Sequence, residues 1–276
     1  MKRIEEPLAK HTTFNIGGKA EIVLPESEEE LIHILRKCKK TNRKYRILGN
    51  GSNILISDDG LDELIIKITE CCKEISVNGN KVRVGASVKL QKLINILVDN
   101  ELGGIEYLYS VPGTVGGAIY MNAGRGKKYN LAISDHLKSV KIYDGGKIVQ
   151  IQKNKLNFDY RHSIFHEKKG WIILSAEFEF TPQKKEIGQK KIQERMNHVK
   201  KNLRSKPNAG SIFRRSPKIS LRGLRIGDAK YVSKNRICNM GDASFSDVYR
   251  LIKINKLIHQ LIPFVKNPEL EIQIWK

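Results

Sequence analysis

Pro112-Gly113-Thr114-Val115-Gly116-Gly117-Ala118 and a shorter bend upstream, Gly49-Asn50-Gly51-Ser52-Asn53, decide how this chain folds and what it holds. Each follows an apolar or β-prone stretch. Each offers several backbone N–H groups with no bulky side chain before them, the surface a pyrophosphate needs. Two such bends predict one long cofactor carrying two phosphates. Gly49 and Gly51 lack the third glycine of G-x-G-x-x-G, and no G-x-x-x-x-G-K-[ST] occurs, so neither common nucleotide signature is present. A lone glycine cluster is more often a plain tight turn. The second bend, however, runs on through Ala118-Ile119-Tyr120-Met121-Asn122-Ala123-Gly124, adding a glycine and a side-chain amide suited to a polar ring edge.

Working outward, Ser27 and Glu30 form a capping box ahead of a helical stripe of Leu31, Ile34, Leu35 and Cys38. Tyr45 to Leu48 and Asn53 to Ser57 read as strands on either side of the first bend, unlike a Rossmann βα turn. Asn78-Gly79 predicts a hairpin between Glu74–Val77 and Lys81–Val84, since both turn residues tolerate positive φ. Ser87 is the expected cap of a helix carrying Leu90, Leu93, Ile94, Leu97 and Val98. A second hairpin is expected from Ser139–Tyr143 and Ile148–Ile151 around Asp144-Gly145-Gly146, and a further strand from Trp171 to Phe180. Beyond Thr181-Pro182, Lys184 to Lys206 predicts a basic amphipathic helix with Ile192, Met196, Val199 and Leu203 on one face. Ser244 or Ser246 caps a later helix through Val248, Leu251, Ile252 and Ile258, and Glu269 to Trp275 alternates as a strand would.

At 276 residues two domains are expected, each with enough apolar residues for a core. No stretch has the length of a membrane-spanning helix and Met1-Lys2-Arg3-Ile4-Glu5-Glu6 lacks the apolar core of a signal peptide, so a cytoplasmic protein away from the membrane is expected. Cys38, Cys71, Cys72 and Cys238 have neither C-x-x-C spacing nor a matching histidine cluster, which predicts reduced thiols and no metal. Cys71 and Cys72 on a strand would point to opposite faces, so at most one should be buried. Fifty basic against twenty-nine acidic residues give +21, a field that attracts polyanions. No RNP-like, zinc-finger or helix-turn-helix pattern accompanies it, so the charge reads as solvated surface that suits anionic small molecules, with no specific nucleic acid.

Six ordered blocks resemble the UDP-N-acetylenolpyruvoylglucosamine reductase family: His11-Thr12-Thr13-Phe14-Asn15-Ile16-Gly17-Gly18, Leu48 to Asn53, Gly104-Ile105-Glu106 through Gly124, Tyr160-Arg161-His162-Ser163-Ile164-Phe165, Ala209-Gly210-Ser211-Ile212-Phe213, and Glu269-Leu270-Glu271-Ile272. The resemblance implies an α+β fold: a two-part FAD-binding region of the PCMH/vanillyl-alcohol-oxidase-like type over 1–182, with lobes of about 1–70 and 71–182, then a smaller α+β substrate-binding domain over 183–276. It implies an enzyme of peptidoglycan synthesis, expected to be a monomer. Hydride would pass from NADPH through the N5 of FAD to the enolpyruvyl group of UDP-N-acetylglucosamine enolpyruvate, giving UDP-N-acetylmuramate. The alternative is a degenerate relative kept as a nucleotide- or nucleic-acid-binding protein.

Hydride delivered to the terminal alkene carbon pushes negative charge into the neighbouring carboxylate, and the other carbon must then be protonated. The resemblance assigns the carboxylate-holding cation to Arg161, whose fork binds in two-point geometry and keeps its charge. It assigns the proton donor to Ser211 and the acid that steadies the dianionic intermediate to Glu271, with Glu269 competing because strand alternation puts both on one face. Burial and its acidic neighbour should raise the Glu271 pKa. The flavin residues implied are Asn50, Gly51, Ser52, Asn53, Pro112, Gly113, Thr114, Gly116, Gly117, Ala118, Asn122 and Gly124. Tyr160 and Asn239 are implied to touch substrate. A Gly51→Val change should exclude the cofactor sterically.

The chain departs from the family pattern at Lys234-Asn235-Arg236-Ile237-Cys238-Asn239, with asparagine for histidine and two residues fewer. Gln273 replaces a usual arginine, and Arg125-Gly126-Lys127-Lys128 replaces an Ala-Tyr-Gly stretch. The insertion with a substrate-closing tyrosine loop is missing, which resembles the shorter subgroup.

Overall fold

A computed structural model describes residues 1–125, 131–202 and 206–276, so Gly126, Lys127, Lys128 and Leu203 lie outside the described residues. The chain forms two compact units, Met1–Lys2, Val23–Gly49 and Ile66–Arg204 in one, Arg3–Ile22, Asn50–Ile65 and Ser205–Lys276 in the other. These bounds differ from the sequence expectation in two respects. The basic helix goes with the first unit because Ile192 packs on that unit's core, whereas residues 3–22 and 50–65 go with the second because Phe14, Ile16 and Leu55 lie in its core.

The first unit contains α1 (Glu28–Lys40), α2 (Leu90–Asp99), α3 (Val115–Tyr120) and α4 (Lys185–Asn202). Its sheet is antiparallel, in the order Ile148–Gln152, Leu137–Tyr143, Ile172–Glu179, Lys81–Gly85, Ile75–Asn78. Val82, Val84, Val140, Ile142, Ala176 and Phe178 of these strands share one core with Leu90, Leu93, Ile94, Leu97 and Val98 of α2. Burial of these five α2 side chains contributes roughly 1.5–3 kcal/mol apiece. The bare Gly188 lets α4 lie close to α2: a Cβ there would meet Val98 Cγ2 at 2.7 Å.

Several local expectations shift. Ser27 accepts from Glu30 N at 3.2 Å, but Glu30 accepts from Glu26 N rather than from the cap residue's own N–H, so the box is only half formed. Ser87 does not cap α2. Its hydroxyl is spent on the Ile68 carbonyl, and the helix starts behind Lys89 without a side-chain cap. In the first hairpin Asn78 still pairs with Lys81, so the two turn residues are Gly79, at φ +58°, and Asn80. Both Cys71 and Cys72 are buried, at 2% and 3% exposure. They do not lie on a strand: they follow the 3-10 turn Ile68–Glu70, and Cys72 is left-handed at φ +52°, which undoes the alternation. All four cysteines are free.

In the second unit, Arg225–Ile226, Ala229–Ser233 and Arg236–Asn239 form an antiparallel sheet. Its Ala229, Tyr231 and Ile237 share a core with Val248, Leu251 and Ile252 of α5 (Phe245–Leu261). Ser244, not Ser246, caps α5: it accepts from Asp247 N at 3.1 Å while Asp247 accepts from Ser244 N at 3.0 Å. The C-terminal strand is shorter than expected, Gln273–Trp275, and runs parallel to Ile54–Ile56. Leu270 stands in an isolated bridge with Phe213.

Candidate active site

In the first unit the second glycine bend becomes α3, and Arg161 is clamped beside it. Asp159 and His162 exchange both backbone hydrogen bonds around the tight turn Tyr160-Arg161. Arg161 sits there at φ +56°, a left-handed conformation that a non-glycine residue holds only when its surroundings enforce it. Asn122 Nδ2 donates to Asp159 O at 2.9 Å, and Ser163 Oγ donates to Tyr120 O at 2.6 Å. Arg161 Nη2 donates to Gly124 O at 2.8 Å and Nη1 to Asn122 O at 3.4 Å. The guanidinium is thus aimed by backbone carbonyls, and its Cζ lies 5.4 Å from the Tyr160 ring centroid. Tyr107 was not foreseen from the sequence. Its hydroxyl is buried without a partner, and burial, aided by Asp135 and Glu106 and opposed by Arg161, pushes its pKa up, so it stays a donor.

Few of the expected α3 amides are available. Val115 N and Gly116 N donate to Val88 O and Ala86 O, and Gly117 N donates to Thr114 Oγ1. Gly116 and Gly124 are required by the protein's own packing: Cβ atoms there would meet Ala86 Cβ at 3.0 Å and Leu131 O at 2.1 Å. Thr114 and Ala118 are buried, and Gly113 accepts from Leu90 N, while Pro112 is exposed. Two features remain open to a flavin. Gly117 is exposed, with only Thr114 Oγ1 3.6 Å from a notional Cβ. Asn122 Oδ1 is buried with no partner, as an acceptor awaiting a ligand N–H would be.

The second unit assembles the first bend with Ser211 and Glu271. Asn53 Nδ2 donates to Glu271 O at 3.0 Å, and Gln273 N to Asn53 O at 3.0 Å. Ser211 begins a short extended segment beside the C-terminal one: Glu271 N donates to Ile212 O and Arg214 N to Glu269 O, each at 2.9 Å. Glu271 is half-buried, whereas the Glu269 side chain is 77% exposed, 3.6 Å from Arg214 Nη1. The two flank Leu270, which bridges Phe213, and they differ in exposure. In the first bend, Gly51 O accepts from Thr13 N, and the amides of Gly51, Ser52 and Asn53 meet no acceptor among the described residues. They can face an anion. Gly51 itself, at φ +61°, is needed because a Cβ would stand 2.2 Å from His11 O. Its own packing on His11 therefore already requires a glycine there.

Asn239 does not have the geometry of a substrate contact. It is 3% exposed, its Oδ1 accepts from Gly241 N and Ala243 N, and its Nδ2 donates to Phe14 O. Arg236, given no role by the sequence, is a different case: burial lowers its pKa, and its Nε is buried with no partner.

Residues 20–152 match the family model of the FAD binding domain. The fold and this match define the class, an FAD-binding protein of α+β type. A reductase of the same name from Fervidobacterium nodosum as one from Thermotoga maritima, UDP-N-acetylenolpyruvoylglucosamine reductase, is 34% identical to this chain over 289 residues, covering 99% of this chain and 91% of the relative. The Thermotoga maritima protein is 34% identical over 288 residues, covering 98% and 97%. The crystal structure of the Thermus caldophilus reductase superposes with a TM-score of 0.82 at 30% identity, covering both chains completely. This chain belongs to the UDP-N-acetylenolpyruvoylglucosamine reductase family.

Proposed function

We propose that the chain reduces the enolpyruvyl ether of UDP-N-acetylglucosamine enolpyruvate to UDP-N-acetylmuramate, with Arg161, Ser211 and Glu271 as its working side chains. Family membership supports the reaction and the use of FAD with NADPH, and gives no support to a non-catalytic relative. The residue roles rest above all on one observation, the backbone pairing of the Ser211 segment with the Glu271 segment. FAD, when bound, supplies at N5 the hydride it receives from NADPH. We assign its holding to the amides of Gly51, Ser52 and Asn53, to the open face of Gly117 and to Asn122 Oδ1.

Arg161, its fork fixed by the Asn122 and Gly124 carbonyls, binds the substrate carboxylate and neutralises the charge that grows there. Glu271, acting as an acid, donates a hydrogen bond to the substrate as its carboxylate becomes dianionic. Ser211 Oγ delivers the proton to the α-carbon, so that one hydride and one proton saturate the double bond. Arg236 suits the substrate diphosphate, because a desolvated guanidinium without a counter-charge gains most from an anion. Tyr160 lies against Arg161 and completes the carboxylate end. We retain a cytoplasmic monomer, a substrate-binding role for the second unit, and no nucleic-acid or membrane partner as parts of this reading. No helix among the described residues is long and apolar enough to cross a membrane.

The test is anaerobic. Flavin pre-reduced by NADPH should reoxidise on adding the enolpyruvyl substrate, and Ser211→Ala should abolish that step while sparing reduction by NADPH. Reduced wild-type flavin that ignores the substrate refutes the reading.

A further inference from the structure

An extended segment has two polar edges, and the Ser211 segment uses both. One edge carries Ile212 O and Arg214 N, which pair with Glu271 N and Glu269 O. The other carries Phe213 N and Phe213 O, and both of these, together with Ile212 N, are met by a single residue, Asn235. Phe213 N donates to Asn235 Oδ1 at 2.8 Å, Asn235 Nδ2 donates to Phe213 O at 2.7 Å, and Ile212 N donates to Asn235 O at 3.1 Å. The carboxamide therefore replaces a peptide unit of a neighbouring strand.

Asn235 can do this because it occupies the turn Lys234-Asn235 between Ala229–Ser233 and Arg236–Asn239, where Ser233 pairs with Arg236. Phe213 is fully buried, so its N–H and C=O have no water to turn to. Only a side chain with a donor and an acceptor side by side satisfies both: aspartate supplies one half, an aliphatic residue neither.

We propose that Asn235 is a positioning residue for the second half-reaction, holding the 211–213 segment so that the Ser211 hydroxyl is aimed at the α-carbon. This rests on the assignment of Ser211 under Proposed function. The asparagine at this position therefore bears on proton delivery. A loosened donor costs rate at the step it serves, on the order of 10- to 100-fold for a displacement near 1 Å.

The experiment uses FAD-loaded full-length protein carrying Asn235→Ala, Asn235→Asp or Ser211→Ala, in stopped flow. Both Asn235 variants should bind FAD and be reduced by NADPH at wild-type rates. Reoxidation by saturating enolpyruvyl substrate should slow at least tenfold in Asn235→Ala and by less in Asn235→Asp, which keeps the acceptor for Phe213 N. The solvent deuterium isotope effect on that step should rise, a change that general loosening of the fold would not produce. Wild-type reoxidation in a folded, flavin-loaded Asn235→Ala overturns the inference; if that variant does not fold, wild-type reoxidation with an unchanged isotope effect in Asn235→Asp does so. Normal reoxidation in Ser211→Ala overturns the Ser211 assignment instead, and the proton-aiming role of Asn235 with it, whatever the rates of the Asn235 variants.

Discussion

Replacing Gly117 by alanine separates the two reasons a glycine can be needed. Gly117 lies inside α3 with helical dihedrals, is exposed, and a Cβ there would meet only Thr114 Oγ1, at an ordinary contact distance of 3.6 Å. The free protein has no reason to resist the change. Alanine in place of a helical glycine stabilises by about 0.5–1 kcal/mol, through the entropy of the unfolded chain and the intrinsic preference of the helix. If the open face of Gly117 is where the flavin cofactor comes close, the added methyl meets the ligand. An overpacking cost of about 1–3 kcal/mol corresponds to an FAD affinity roughly 5- to 150-fold weaker. Urea unfolding of the apoprotein and a fluorescence titration with FAD read the two effects separately. Expected is an apoprotein at least as stable as wild type that holds FAD poorly. Wild-type FAD affinity in that variant would remove Gly117 from the cofactor face.

Gly51→Ala should behave in the opposite way: a left-handed alanine costs about 1–2 kcal/mol, and the Cβ standing 2.2 Å from His11 O forces backbone to move, so the apoprotein itself should unfold at clearly lower urea. An unchanged midpoint would contradict the packing of the first bend on His11-Thr12. Glu271→Gln should slow flavin reoxidation by orders of magnitude in single-turnover measurements, while Glu269→Gln, altering an exposed ion pair worth at most about 1 kcal/mol, should stay within about twofold of wild type; comparable losses in both would undo the distinction between them. Arg236→Ala removes charge-assisted hydrogen bonds worth about 1.5–3 kcal/mol, so the substrate KM should rise roughly 10- to 150-fold at constant rate of flavin reduction by NADPH; an unchanged KM would free the diphosphate from Arg236.

Much of this molecule is legible from short-range chemistry. The helix stripe of α2, the antiparallel strands beside it, the Asp144-Gly145-Gly146 turn and the cap at Ser27 follow from periodicity and from side chains that bond within a few residues of themselves. The glycine bends and the Tyr160-Arg161 block are equally visible, because a bare backbone and an arginine beside an aromatic ring stand out in any sequence. What escaped that reading are cases in which a distant partner claims a group. The Ile68 carbonyl takes the Ser87 hydroxyl, the 86–88 backbone takes the first α3 amides, and Gly241 and Ala243 take the Asn239 amide oxygen.

The amino-acid sequence by itself determined the elements, the family and which residue types could carry the chemistry, since these depend on local propensity and on motifs read in order. Only the tertiary structure decided which of the paired candidates is sheltered and who holds it. Glu271 is set apart from Glu269 by its partial burial, and the Ser211 segment is gripped on its far edge by Asn235, twenty-two residues from Phe213. Hydrogen bonds across such separations arise only when the chain has packed, so no window of sequence contains them.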